Sequence, residues 1–315
     1  MPAKLHFLLK TERSSEQKGT KMAETKQQGI LYIVSVPIGN YADMTQRARE
    51  VLEQVDFIAS EDTRRSAILM HNLNIEINNR LISNHKFNEY AKTKYFINDL
   101  IDGKSVAIIT DAGTPCISDP GNELIKEAIR NGIRVSPVPG CCAAIAALTV
   151  SGFDLSSFAF YGFIPRDRAG KQKIMQQIMR NTAINTCVFY ESPKRIISTV
   201  SFFAEEEIHC EMCLCNDLTK YYEYMYRGTP AEVLDELNQR GTAEKGEYVL
   251  VIQMNRTKDE KRPEESLSPE ASLIETMIRN GCSVKDAIKQ LAGDPGCAYN
   301  KNMLYDASLR LKELL

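Results

Sequence analysis

The chain has 315 residues, which at about 150 residues per domain predicts roughly two domains and a small extra module. Hydrophobic residues make up 43% and charged residues 25%, an ordinary globular composition, and the apolar runs at 105–109 and 143–150 fall far short of the roughly 18–20 residues that cross a bilayer. A net charge of −2 argues against a strong general nucleic-acid binder, while leaving room for a folded ribonucleoprotein target met through a local basic patch.

Residues 1–28 read as a solvated leader, because the patch LHFLL (5–9) is too short for a signal-peptide core and KTERSSEQKGTK follows at once. Met22 is a second candidate start. Nine cysteines without a secretory signal read as free thiols of a reducing, cytoplasmic compartment.

From residue 29 the pattern alternates strand and helix. ILYIVSV (30–36) is a buried strand, and Asp43 is expected to cap the helix MTQRAREVLEQV, whose Met44, Ala48, Val51, Leu52 and Val55 share a face. DFIASE (56–61) is a second strand, followed by a helix through Leu69 and Leu73. A short strand, LISNH (81–85), places His85 at its end. SVAIITD (105–111) carries hardly a polar residue, as a central parallel strand would. Asp119-Pro120 is expected to open a helix with proline at its first position, Asn131-Gly132 to stop it, and IRVSPV (133–138) to form the next strand. The helix GCCAAIAALTVSG (140–152) leads into a second half. Its strands are FAFYGF (158–163), NTCVFYES (185–192), HCEMCLC (209–215), YYEYMYRG (221–228) and GEYVLVIQM (246–254), with antiparallel pairing expected. The fold class is α/β: an N-terminal α/β domain at 29–139, a C-terminal α/β domain at 140–255, a charged linker at 256–269 and a small helical module at 270–315.

The turn after the first strand, Pro37-Ile38-Gly39-Asn40, lacks both G-x-G-x-x-G and G-x-x-x-x-G-K-[ST], so dinucleotide and P-loop phosphate binding lose their signals. It still leaves a tight backbone at the carboxyl end of a strand, where α/β sheets bind ligands. Asp111 ends the most buried strand, and Ala112-Gly113 allow a ligand close to the backbone. No Lys or Arg follows closely, which suits a ligand carrying little negative charge, such as cationic adenosylmethionine, better than ATP. Glu61-Asp62-Thr63-Arg64 is either a polar rim or a helix cap with an ion-paired arginine. Lys194 and Arg195 after Tyr190-Glu191, and the loop with Arg166, Arg168 and Lys171, are phosphate contacts or ordinary surface. Cys210, Cys213 and Cys215 beside His209 would need a fourth ligand for a metal; a buried strand using Cys as a small apolar residue is the stronger reading, and no metal is expected.

LYIVSVPIGN (31–40), EDTR (61–64), DAGTPCISDPG (111–121), VPGCCAA (138–144), GFIPR (162–166), FYESPKR (189–195), LTK (218–220) and KGEYVLVI (245–252), in this order over two thirds of the chain, resemble the ribosomal RNA small subunit methyltransferase I family of the tetrapyrrole-methylase class. The resemblance implies two αβα domains with S-adenosyl-L-methionine in a cleft between them, and a homodimer. It also implies 2′-O-methylation of a cytidine in the decoding region of 16S rRNA on the assembled small ribosomal subunit. Carried over onto this sequence, the cofactor positions are Pro37, Ile38, Gly39, Asp111, Ala112, Gly113, Ile117, Ser118, Ala143, Ala144, Tyr190 and Leu250. Glu191, Glu61 and Lys220 are the candidates for a general base, and Arg64, Arg166, Arg168, Lys194 and Arg195 for RNA contact. The chain departs from the family at Cys141, where proline is usual, at Asn216-Asp217, where Arg-Glu is usual, and in extra residues before Lys301-Asn302. Two other readings share the pattern: a methylase of a tetrapyrrole or other small molecule, and a non-catalytic ribosome-binding or assembly factor.

Overall fold

Parallel strands need a crossover of a dozen or more residues, which the strand–helix alternation after residue 29 supplies. A computed structural model describes residues 28–314 apart from 78–79, 86, 256–267, 295–296 and 298. The expected leader, Gln28 excepted, and the linker up to residue 267 lie outside the described residues. The chain divides into two compact units; Pro37 and Tyr41–Gly140 belong to the first, Ile38–Asn40 and Cys141 onward to the second.

In the first unit the elements are β1 (Ile30–Val34), α1 (Gln46–Gln54), β2 (Phe57–Ser60), α2 (Thr63–Asn72), β3 (Leu81–Ser83), α3 (Glu89–Ile101), β4 (Val106–Ile109), α4 (Asn122–Arg130) and β5 (Arg134–Val138). The five strands form one parallel sheet in the order β3-β2-β4-β1-β5. Alternation along β4 divides its side chains between two cores. Ala107 and Ile109 join Ala48, Leu52 and Met70 of α1 and α2, whereas Val106 and Ile108 join Phe96, Leu100, Leu124 and Ala128 of α3 and α4. Being covered on both faces is what makes β4 a nearly continuous apolar run.

Two helix starts differ from expectation. The N-cap of α1 is Thr45, whose hydroxyl accepts the Ala48 N–H at 3.1 Å, while Asp43 sits in a preceding single turn, Tyr41–Asp43. Helix α4 begins at Asn122 instead of Pro120. Its first N–H groups are met by a side chain distant in sequence: Glu89 Oε1 accepts from Gly121 at 2.8 Å and from Glu123 at 3.2 Å.

In the second unit follow α5 (Ala143–Ser151), β6 (Phe158–Phe163), α6 (Arg168–Arg180), β7 (Thr186–Glu191), α7 (Ile196–Glu205), β8 (Cys210–Asn216), β9 (Tyr224–Gly228), α8 (Pro230–Arg240) and β10 (Tyr248–Met254). The sheet order is β6-β7-β10-β8-β9, parallel only between β6 and β7. One face packs Phe189, Leu214, Leu250 and Ile252 against Ile178, Val200 and Leu237 of α6, α7 and α8. The other packs Val188, Cys213, Cys215, Val249 and Val251 against Ala144, Ala147 and Leu148 of α5 and against Ile38. Cys210 therefore faces one side of the sheet and Cys213 and Cys215 the other, all three buried, so the run is a core strand. Among the described residues no group of three or more His, Cys, Asp or Glu side chains is arranged to hold a metal ion.

Helices α9 (Pro269–Asn280), α10 (Val284–Gly293) and α11 (Lys301–Leu314) surround a small core of Leu273, Ala287, Ile288, Leu304 and Ala307. An Arg310–Glu270 pair at 2.6 Å ties the last helix to the first. No helix of the described residues is long and apolar enough to cross a membrane.

Candidate functional site

Strands β2, β4 and β1 are neighbours and parallel, so the loops leaving their carboxyl ends lie side by side. Val36 and Gly113 join two of these loops by reciprocal backbone bonds of 2.9 and 3.1 Å, and the Ser35 and Thr114 hydroxyls lie 3.0 Å apart. The turn Asp111-Ala112-Gly113 is thereby held firm, with Ala112 exposed at its apex. Around it gather Glu61, Asp111 and Asp119. Thr110 Oγ1 donates to Glu61 Oε2 at 3.2 Å and also bonds the Asp119 carboxyl. Burial pushes the Glu61 carboxyl above its ordinary value, and the negative charges of Asp119 and Asp111 push it further. Burial raises Asp119 too, against the Thr110 bond. The Arg65 guanidinium, which bonds Asp111 Oδ2 at 3.0 Å, acts in the opposite direction on Glu61. Asp111 Oδ1 is buried with no hydrogen-bond partner among the described residues. An unmet buried acceptor in an acidic surround suits a ligand that brings donors and positive charge, and repels phosphate. Ile117 and Ser118 are exposed in the same segment.

A second polar cluster forms in the other unit, at the carboxyl end of β8. Lys220 Nζ bonds Asp217 Oδ1 at 2.7 Å and Glu247 Oε2 at 3.0 Å. Burial opposes the Lys220 charge, but the two carboxylates outweigh it and hold its pKa above the ordinary value, so it remains a cation near neutrality. Its stem lies over Gly39, where a Cβ would come within 2.4 Å of Lys220 Cγ. Asp217 also accepts the Glu247 N–H at 3.2 Å and donates its own N–H to the Glu247 carbonyl at 2.9 Å. Asp217 and Thr219 hold left-handed φ angles of 50° and 66°, unusual for residues with a Cβ, and the Thr219 hydroxyl is buried without a partner among the described residues.

Comparison with known proteins reads these loops in context. A model of the family "Tetrapyrrole (Corrin/Porphyrin) Methylases" matches residues 30–234. The ribosomal RNA small subunit methyltransferase I of Halalkalibacterium halodurans is 39% identical over 292 residues, which cover 91% of this chain and 96% of that one. Its namesake from Bacillus subtilis is 38% identical over 89% of this chain and 94% of its own. The chain belongs to the ribosomal RNA small subunit methyltransferase I family, within the tetrapyrrole methylases. A solved structure of diphthine synthase covers 72% of this chain and 90% of its own at a TM-score of 0.55 and 12% identity, a likeness of fold alone.

Several family motifs take roles here that their residue types did not announce. Glu191 has a fully buried side chain, and both oxygens are committed. Oε1 accepts from Arg195 at 2.5 Å and from the Ser192 N–H at 2.6 Å, and Oε2 from the Thr199 hydroxyl at 2.6 Å. The expectation of Glu191 as an accessible base is corrected on that ground, and Arg195, which also bonds the Ile164 carbonyl, is drawn inward instead of toward a phosphate. Lys220, as a paired cation, is likewise no base. Arg168 is engaged by Glu205 at 2.9 Å and by Glu206, and Arg64 by its helix cap Asp62 at 2.8 Å; Arg166 and Lys194 are exposed. The Arg64 bonds in turn hold the Asp62 carboxyl down at about 2. Leu250 is fully buried in mid-strand, bonded on both sides by β7 and β8, so neither its side chain nor its backbone is open to a cofactor. Ala143 and Ala144 start α5, whose cap Cys142 makes no side-chain bond, and Tyr190 packs edge-to-face on Phe160 at 4.9 Å and Phe163 at 5.6 Å. Asp119 was legible only as a helix start, Thr110 only as part of a buried strand, and Asp217 only as a departure from the family.

Proposed function

We propose that this protein transfers a methyl group from S-adenosyl-L-methionine to the 2′-hydroxyl of a cytidine in the decoding region of 16S rRNA, on the assembled small subunit, in the cytoplasm and as a homodimer. The observation that carries the reading is the unmet Asp111 Oδ1 beside the exposed Ala112, with the carboxylates of Glu61 and Asp119 close by. Adenosylmethionine fits it, having hydroxyl and ammonium donors and a net positive charge; a nucleoside triphosphate does not. When bound, it supplies a methyl group on a sulfonium, which is already a good leaving group. The printed names of the relatives, which specify the RNA of the small ribosomal subunit, support the acceptor class.

The chain's own residues then have three tasks. Asp111 and the exposed Ala112 beside it hold the cofactor. Glu61 is the group best suited to take a proton from the ribose hydroxyl, because its burial and its anionic neighbours raise its affinity for one while part of it stays open. Glu191 acts at a distance, by fixing Arg195 and the turn after β7.

Labelled methyl transfer to unmodified small subunits, with an Asp111→Ala variant and protein-free RNA alongside, tests this. Label on a cytidine ribose of intact subunits, lost in the variant together with cofactor binding, is the expected result. Tight adenosylmethionine binding with no label on any ribosomal RNA would move the acceptor to a small molecule and overturn the reading.

A further inference from the structure

Immediately after Lys220 the turn between β8 and β9 raises two tyrosines into solvent. Tyr221 is 92% exposed and Tyr222 79%, and their rings meet edge-to-face with centroids 4.9 Å apart. Burying an aromatic ring is among the larger gains a side chain can make, so two adjacent rings left bare are a cost that packing within the chain does not explain. The turn that carries them is rigid. Lys220 N–H donates to the Asp217 carbonyl at 3.0 Å, Glu223 N–H to the Lys220 carbonyl at 3.1 Å, and Thr219 N–H to Glu223 Oε2 at 2.6 Å. The left-handed Asp217 and Thr219 complete it, and the Glu247 strand entry anchors its base. Rings on such a support lose little freedom on binding.

Open aromatic faces on a fixed turn are an arrangement on which unpaired bases stack. We propose that Tyr221 and Tyr222 form a stacking step for unpaired bases of the RNA substrate. The inference rests on the RNA reading above, and it assigns these residues to substrate recognition, not to the chemistry.

The test compares wild type with Y221A/Y222A, Y221F/Y222F and Y221L/Y222L, measuring KM and kcat for methyl transfer to unmodified small subunits and Kd for the same subunits by filter binding. The side chains are exposed, so folding is not at stake. Loss of a stacked base corresponds to roughly 5- to 150-fold in affinity. The expected result is a KM and Kd raised by that order in the alanine and leucine variants, kcat near wild type, and full retention in the phenylalanine variant. Unchanged alanine kinetics would overturn the stacking step while leaving the RNA reading in place. Leucine as good as tyrosine would overturn it in favour of an apolar contact with a ribosomal protein. A changed oligomeric state in the alanine variant would assign the rings to a second copy of the chain and overturn it too. A wild type that neither binds nor methylates small subunits would fail the underlying reading as well, and that failure is visible without any variant.

Discussion

Two glutamates with similar standing in the sequence, Glu191 and Glu61, have opposite fates. Glu191 lies in the core, paired and hydrogen-bonded on both oxygens, and removing the charge leaves Arg195 without its partner. Breaking a buried pair costs about 3–5 kcal/mol. Because the Arg195 side chain keeps 24% exposure, Glu191→Gln is expected to lose about 3 kcal/mol, seen as a lower urea midpoint, with cofactor affinity unchanged in whatever fraction is folded. Unaltered stability would return Glu191 to the reaction. Glu61 shows the opposite balance: little holds its charge and much opposes it. Glu61→Gln is expected to lower kcat by about 10²–10⁴ while stability changes little, since an isosteric amide relieves repulsion from Asp111 and Asp119. The sign of the pH effect follows from the raised pKa. The base works only when deprotonated, so kcat falls as pH drops through the Glu61 pKa. That inflection lies above the ordinary glutamate value of 4.5 and disappears in Glu61→Gln. An unchanged profile in the variant would take the assignment away from Glu61.

At the scale of elements, turns and caps hold the site loops. Gly246 and Gly241 flank the entry to β10 with similar left-handed φ angles, 87° and 63°, yet only one is crowded. A Cβ at Gly241 would meet nothing within 4 Å, whereas at Gly246 it would stand 2.3 Å from Asp217 Oδ2 and 2.6 Å from Asn216 Nδ2. Gly241→Ala is therefore expected to cost about 1–2 kcal/mol, the strain of the conformation alone. Gly246→Ala should cost more and should also raise KM for subunits, because it displaces the carboxylate that holds Lys220. Equal costs by chemical denaturation would show that the Asp217 contact yields freely. Helix α8 opens on a full capping box, the Thr229 hydroxyl accepting from Glu232 N–H and Glu232 answering at the Thr229 N–H. Thr229→Ala is expected to cost about 1 kcal/mol of stability with no change in methyl transfer, which thermal unfolding and the subunit assay would check together. The strand HCEMCLC and the parallel run of the first unit are local patterns, and both were legible. The caps of α1 and α4 were misplaced because a nearer threonine competed with Asp43 and because the group that caps α4, Glu89, comes from another helix.

For the molecule as a whole, cores are separate. Each sheet has its own two apolar faces, and α9–α11 share a fifth, much smaller core around Leu273. So small a core leaves little margin. Leu273→Ala is expected to open α9–α11 locally, with hydrogen-exchange protection lost there and kept in β4 and β10, since a buried leucine is worth about 2–5 kcal/mol. Protection lost throughout would mean that these helices are integral to the sheets. What the sequence determined by itself is whatever depends on neighbours along the chain. That covers the period of apolar residues, the parallel run of the first half, the glycine turn after Asp111, and motif order specific enough to identify the family. What only the tertiary structure decided is which charges are neutralised. Glu191 ends a strand and Glu61 directly follows one, and Lys220 and Arg195 each come after a strand. Whether each stays free depends on Thr199, Asp119 and Glu247, residues brought beside them by strand pairing and helix packing rather than by spacing. Electrostatic energy falls off with distance in space, and the chain order carries no record of that distance until the sheets have formed.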